Sequence, residues 1–202
     1  MATAPARRPR ADALRNRQRL IDAAAGAFAE LGLDVSVAEI ARRAGVGSGT
    51  LFRNFPAKDD LIHAVIEARV NELVEIGERA YGLGDPLKSL EQFFYEAGDF
   101  QARDRGFFEA IEGRVIDDPE LLECKHGVLE IVTKILERAQ KAGVIRKDIV
   151  AEDLRFLLIS AVRSDPVLSN EPGLHRRYLR IILDGLNPQC ASKLEVPPPK
   201  LS

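Results

Sequence analysis

The sequence predicts an all-α protein in two parts: a three-helix, N-terminal helix-turn-helix domain and a larger C-terminal helical domain, about nine helices over 202 residues. Three observations carry this. Apolar residues recur at helical spacing along most of the chain, no run alternates with the period of two that a strand requires, and the breaks consist of Gly, Asp-Pro and capping residues. The organisation that follows is a basic disordered arm over 1–11, a helix-turn-helix domain over 12–57, a helical domain over 58–187 and a disordered, proline-rich tail over 188–202.

The first helix is marked by Leu14, Gln18, Ile21, Ala24 or Ala25, Phe28 and Leu31, and Gly32 closes it. The stretch VSVAEIARRAGVGSGTLFRNFP, Val35 to Pro56, then holds two short helices. Ser36 and Glu39 make a capping box with Val35 and Ile40 as its hydrophobic staple, so a helix starts at Val37. It ends at Ala44-Gly45, where glycine tolerates the positive φ of a C-terminus. Gly47 or Ser48 caps the next helix, which stops near Phe55 because Pro56 disfavours the α region in its predecessor. Val37, Ile40, Ala41, Val46, Leu51 and Phe55 hold the pair together and leave Ser48, Thr50, Arg53 and Asn54 outward.

That outward set suits nucleic acid. Gly47 and Gly49 allow close backbone approach, Thr50 can bond phosphate or touch a thymine methyl, and Arg53 has the fork that guanine O6 and N7 accept. Net charge is only −2. Its distribution is uneven: residues 1–60 hold ten Lys and Arg against seven Asp and Glu, a balance of +3, and the first twenty hold six arginines against one aspartate. A basic arm ahead of a helix-turn-helix favours phosphate contact.

Beyond Pro56 a long helix begins with Asp59 and Asp60 in its first turn and runs through Leu61, Ile62, Val65, Ile66, Val70, Leu73 and Ile76 to about Ala80. It reads as the only covalent link between the two parts. Gly82 to Pro86 is the clearest break, with Asp85 as cap and Pro86 at the first helical position. Helices follow at about 86–103, 105–116, 119–142, 151–164 and 173–186.

Five of the nine phenylalanines, Phe93, Phe94, Phe100, Phe107 and Phe108, fall within sixteen residues. Such rings are ordinarily core, but pockets in helical proteins are lined by them too, and Phe93, Phe94, Phe107, Phe108 and Glu109 are the candidate ligand residues. Residues 96–118 carry seven carboxylates against three arginines, so an apolar, cationic small molecule would fit if one carboxylate lined the pocket; a solvated acidic face explains the same excess. The helices at 151–164 and 173–186 are apolar nearly all round, which internal burial or a subunit interface explains equally.

Several classes of function find no support. The sequence has no GxSxG, HExxH, P-loop or dinucleotide fingerprint, which argues against an enzyme with a catalytic site or cofactor. Its three histidines are scattered, and Cys124 and His126, two apart, face different sides of a helix, so no metal site is expected. Two cysteines make no disulfide framework, and with neither a signal peptide nor an apolar span the expectation is a cytoplasmic protein with no membrane partner.

The pattern VSVAEIARRAGVGSGTLFRNFPAKDDLI resembles the DNA-binding domain of the tetracycline-repressor (TetR) family. The likeness covers Arg15 to Ile66 well and the remainder only as helical architecture. It implies phosphate contacts from Thr50, Phe52 and Lys58 and a major-groove face of Ser48, Gly49 and Arg53, with Ser36, Gly47 and Asn54 alongside. Phe52 stands where the family usually has tyrosine, removing a phenolic hydrogen bond to phosphate, and Asn54 where histidine is common. The resemblance also implies a homodimer formed by the last two large helices, here through Leu154, Leu158, Val162, Tyr178 and Ile182, on a pseudo-palindromic DNA operator. The function implied is a transcriptional repressor released by a small-molecule effector. The alternatives are a DNA-binding protein of the same type governed by a protein partner, and a helical small-molecule-binding protein or enzyme with an incidental hairpin.

Overall fold

The computed structural model describes residues 8–109, 119–163 and 173–199, with side chains from Ala13 in the first block and from His126 in the second. Among these, all regular structure is helical: α1 (Arg8–Leu31), α2 (Val37–Ala44), α3 (Ser48–Asn54), α4 (Lys58–Tyr81), α5 (Pro86–Arg103), α6 (Pro119–Lys141), α7 (Ala151–Arg163), α8 (Leu174–Gly185) and a 3-10 turn at Pro188–Cys190. Residues 105–109 are helical as well, and the rest of the helix expected over 105–116 lies outside the described residues. No helix among the described residues is long and apolar enough to cross a membrane.

The chain divides into two compact units, one comprising Met1–Ala68 with Gly106–Asp117, the other Arg69–Arg105 with Asp118–Ser202. In the first, α1 packs on α2 and α2 on α3. Leu20, Ala24 and Phe28 of α1, Ile40 of α2, Leu51 of α3 and Leu61 of α4 are fully buried at its centre. Phe107 joins them from far along the sequence, fully buried and stacked on Phe28 with centroids 6.5 Å apart. The expectation that α4 is the only covalent link is therefore corrected. The chain passes from one unit to the other within α4, between Ala68 and Arg69, and again between Arg105 and Gly106.

In the second unit α5 packs against α6, α7 and α8. Its start is as the sequence predicts, with Asp85 accepting from the backbone of Leu87 at 2.9 Å and Lys88 at 3.0 Å and with Pro86 in the first turn. Leu90, Phe94, Ala97 and Phe100 are buried along its length, and Gly98 lets Leu179 of α8 come close. The junction after α6 is closed by Gln140, whose amide donates to the carbonyls of Arg146 and Ile149.

Both terminal expectations need correction. α1 starts at Arg8, so part of the stretch expected to be a disordered arm is helical. The tail expected from residue 188 opens with a 3-10 turn in which Asn187 accepts from the backbone of Gln189 at 2.9 Å, and Arg146 donates to the carbonyl of Ser192 at 2.6 Å. A capping side chain and one arginine suffice to hold that segment, and neither is visible as composition.

Gly106 lies so close to α1 that a Cβ there would run into the backbone carbonyl oxygen of Ala29, whereas a Cβ on Gly98 would meet the flexible Cδ1 of Leu179 at 2.6 Å. Backbone cannot yield as a side chain can. Gly106→Ala should therefore destabilise by about 1–3 kcal/mol, more than Gly98→Ala, in denaturant unfolding. Equal destabilisation would show that residues 105–109 are not seated on α1.

Candidate nucleic-acid interface

The turn between α2 and α3 is built by backbone hydrogen bonds. Gly45 adopts φ 68° and ψ 31°, its N–H donating to Arg42 O at 3.2 Å while Val46 N donates to Ala41 O at 3.0 Å. This is the Schellman arrangement, which ends a helix by satisfying its last carbonyls. Gly47 is extended, and its carbonyl accepts from Thr50 N at 2.9 Å to open α3. Phe55, before Pro56, leaves the helical region at φ −139° and ψ 94°.

The starts of α2 and α4 each use half of a capping box. At α2 the Ser36 hydroxyl accepts from Glu39 N at 3.2 Å, and the Glu39 carboxylate turns instead to Arg42 and Arg43 at 2.8 and 2.9 Å. At α4 the Asp60 carboxylate reaches back to the backbone N–H of Ala57 at 2.8 Å, making up for a residue that cannot cap with its side chain. Arg43 also donates to Glu30 of α1 at 2.8 Å, so a chain of alternating charges ties α1 to α2. The two guanidinium groups hold the Glu39 carboxyl down to about 2. The spacing of Glu39, Arg42 and Arg43 was visible in the sequence, but Glu30, thirteen residues away from Arg43, was not.

The predicted reading residues differ in exposure. Ser36, Gly47, Ser48, Gly49, Phe52 and Arg53 are exposed, and Thr50, Asn54 and Lys58 are half-buried. Leu51 and Phe55 point the other way, into the unit, with Ile40 and Ala41. Phe52 is 50% exposed although it is aromatic. The polar side chains fold back along α3: Arg53 Nε donates to Gly49 O at 3.0 Å and Nη2 to Thr50 Oγ1 at 3.3 Å, while Asn54 Nδ2 donates to Thr50 O at 2.8 Å. These bonds hold the donors at the surface and can be exchanged for bonds to a ligand without unfolding the helix. One neighbour escaped the sequence reading: the Arg17 guanidinium of α1 sits over the Phe55 ring, 5.0 Å from its centroid.

The candidate ligand residues fall in both units. Phe93 and Phe94 are buried in α5, edge to face at 6.4 Å, within the C-terminal unit. Phe107 belongs to the N-terminal unit with Phe108 against it at 5.7 Å, and Glu109 there is exposed. Three carboxylates of the acidic stretch are paired with cations from elsewhere in the C-terminal unit, and Glu112, Asp117 and Asp118 lie outside the described residues. Glu96 pairs with Arg79 at 3.1 Å and Asp104 with Arg69 at 3.1 Å; Asp99 takes Arg176 in two bonds with His175 Nε2 at 2.9 Å, and Arg176 holds the Asp99 carboxyl below its usual range.

The candidate interface residues also divide. Leu154, Leu158 and Val162 are buried within the subunit, each no more than 3% exposed, because that face of α7 packs on α5 and α8. Tyr178 and Ile182 remain half-buried on α8. On α7 and α8 the large apolar side chains open to solvent among the described residues are Phe156 and Ile181, at 46% and 56%.

The Glu39 pairing has a pH signature. Its folded value is depressed, so its contribution to stability is complete above the usual 4.5 and is lost as the pH falls through about 2. Denaturant unfolding of wild type and Glu39→Gln should differ at pH 7 and converge towards pH 2; a constant difference would assign the effect to something other than the ion pairs.

Comparison with known proteins agrees with this geometry. Residues 20–65 match the family model described as bacterial regulatory proteins, tetR family, and residues 85–188 match that of the C-terminal domain of SbtR-like transcriptional regulators. The chain is similar to the HTH-type transcriptional repressor KstR2 of Rhodococcus jostii, 28% identical over 84% of this chain and 90% of that protein. It is also similar to the crystal structures of a TetR transcription regulatory protein from Mycobacterium vanbaalenii (35% identity, 88% of this chain and 98% of that one, TM-score 0.67) and of SCO0520 from Streptomyces coelicolor (30%, 85% and 98%, 0.66). By its N-terminal helix-turn-helix and its helical C-terminal domain together, the chain belongs to the TetR family of bacterial transcriptional regulators.

Proposed function

We propose that this regulator acts in the cytoplasm as a homodimeric repressor without catalytic activity, seating one α3 of each subunit in successive major grooves of a pseudo-palindromic operator, and that a small apolar effector releases it. The observation that carries the reading is the face of α3, where Ser48, Gly49, Phe52 and Arg53 stand exposed. A cyclic dimer presents two such faces to half-sites about one helical turn apart. Repression is supported by the similarity to a repressor over most of both chains.

Arg53 reads a base edge in this scheme and Lys58, at the start of α4, holds a phosphate. Effector action begins at α5, where Phe93 and Phe94 are buried, and its covalent routes to the DNA-binding unit include α4 itself and the crossing at Arg105–Gly106 that leads to Phe107. Binding that shifts either route alters the separation of the paired α3 helices. Such coupling is worth about 1–3 kcal/mol and is reciprocal.

The test is a comparison of two variants on a duplex that the wild-type protein selects from a random library, with single-base variants of that duplex. Arg53→Ala should cost about 1–3 kcal/mol and blur one base position, whereas Lys58→Ala should weaken all sequences alike and lower the salt slope by about one. Equal weakening on selected and random DNA for Arg53→Ala would remove it from base readout.

The dimer reading moves to the side chains that the fold leaves open. Phe156→Asp with Ile181→Glu should give a folded monomer in sedimentation at micromolar concentration, while Leu158→Asp should unfold the C-terminal unit by placing a charge in its core. A monomeric wild type would refute the interface.

A further inference from the structure

Two of the places where the chain passes between the units lie beside residues that are paired with each other. Arg69 is the first residue of α4 in the C-terminal unit, and Asp104, the C-cap of α5, comes just before the Arg105–Gly106 crossing. Arg69 Nε lies 3.1 Å from Asp104 Oδ2, and the two side chains are only 21% and 15% exposed, so water screens this attraction less than it screens a surface pair. The contact is one of charge, since neither atom makes an aligned hydrogen bond. A second contact joins the same two helices one turn along α4: Glu72 accepts from Arg103 of α5 at 3.3 Å and also from Arg69 at 3.0 Å. The ring of Phe100 is buried beside them, with the Arg69 and Arg103 guanidinium carbons 5.8 and 5.4 Å from its centroid.

The order of the charges makes this arrangement specific. Along α4 the cation Arg69 comes before the anion Glu72, and along α5 the cation Arg103 comes before the anion Asp104, so the pairs cross as Arg69–Asp104 and Glu72–Arg103. Sliding one helix against the other loses both attractions and brings like charges together, Arg69 towards Arg103 and Glu72 towards Asp104. A half-buried pair adds little net stability, whereas removing one partner leaves the other charge uncompensated. Its effect is therefore to penalise every arrangement but one. α4 continues without a break from Arg69 back to Lys58, about 16 Å at 1.5 Å per residue. We infer that Arg69, Glu72, Arg103 and Asp104 form a clasp that makes the end of α5 and the middle of α4 move as one body, and that Arg69 and Asp104 are positioning residues for operator binding.

The inference rests on α3 being the reading helix, and amide hydrogen exchange of the full-length protein, alone and with the selected duplex, separates the two. In wild type the duplex should slow exchange over 48–54 of α3 and, through the clasp, over 98–104 of α5 by about fivefold or more. Asp104→Asn keeps the size of the side chain and removes its charge; it should retain the slowing over 48–54 and lose that over 98–104, whereas Asp104→Glu should keep both. Arg103→Gln, at a side chain 64% exposed, breaks the other pair without placing anything in the core and should act in the same direction. Wild-type slowing over 48–54 alone, or slowing over 98–104 undiminished in the charge-removing variants that fold, would overturn the proposal. If no duplex slowed 48–54 the reading helix would be wrong, and the free proteins would still decide on the clasp. There Asp104→Asn should speed exchange over 66–72 of α4 and 98–104 of α5 by the same factor, and acceleration confined to 98–104 would sink it.

Discussion

The left-handed conformation of Gly45 is the constraint on which the DNA-binding unit depends. A β-carbon is strained there, and without the residue α2 would have no Schellman turn and α3 no fixed direction. α3 has seven residues, far too few to be stable alone in water. It exists because Leu51 and Phe55 are buried beside Ile40 and Ala41, and that burial is possible only at the angle the turn sets. The same angle turns Phe52 and Arg53 to solvent, so the geometry that stabilises the helix also exposes its reading face.

The sequence was most legible where a single residue carries the physics. Ser36, Gly45, Pro56 and Asp85 with Pro86 act on their own backbone or on neighbours within one turn, and the helix ends they predict are the ends observed, because no distant contact can override a missing N–H or a required positive φ. It was least legible where the partner lies far along the chain. Phe107 pairs with Phe28 across seventy-nine residues, and Asp99 with Arg176 across seventy-seven. The first pairing seats Phe107 beside the first helix of the chain and the second pairs one carboxylate of the acidic stretch, and local counting shows neither. The interface candidates divide for a related reason: a helix apolar nearly all round shows no face as outward, and Leu154, Leu158 and Val162 are buried where α7 packs on α5 and α8, while Tyr178 and Ile182 stay half-buried.

How α8 is set against α5 decides what the C-terminal unit offers a partner. Arg180 reaches Glu91 at 2.9 Å, Arg176 lies over the Tyr95 ring at 5.6 Å and binds Asp99, so three positions of α5 spaced by four residues meet α8 in antiparallel order. Arg176 and Arg180 are about half exposed, and exposed pairs of this kind add little to stability because water screens them. Burying a leucine such as Leu179 or Leu183 is worth roughly 1.5–3 kcal/mol. Stability at this seam therefore comes from the leucines, and Gly98, which has no room for a β-carbon beside Leu179, lets them approach. What the ion pairs add is register. Turning α8 by one residue would break every rung and push Leu179 out of its place, so Leu179 and Leu183 stay inward and Ile181, between them, is held outward. The apolar surface left at Ile181 is thus a consequence of the seam with α5, and its exposure can be relieved only by something outside the subunit.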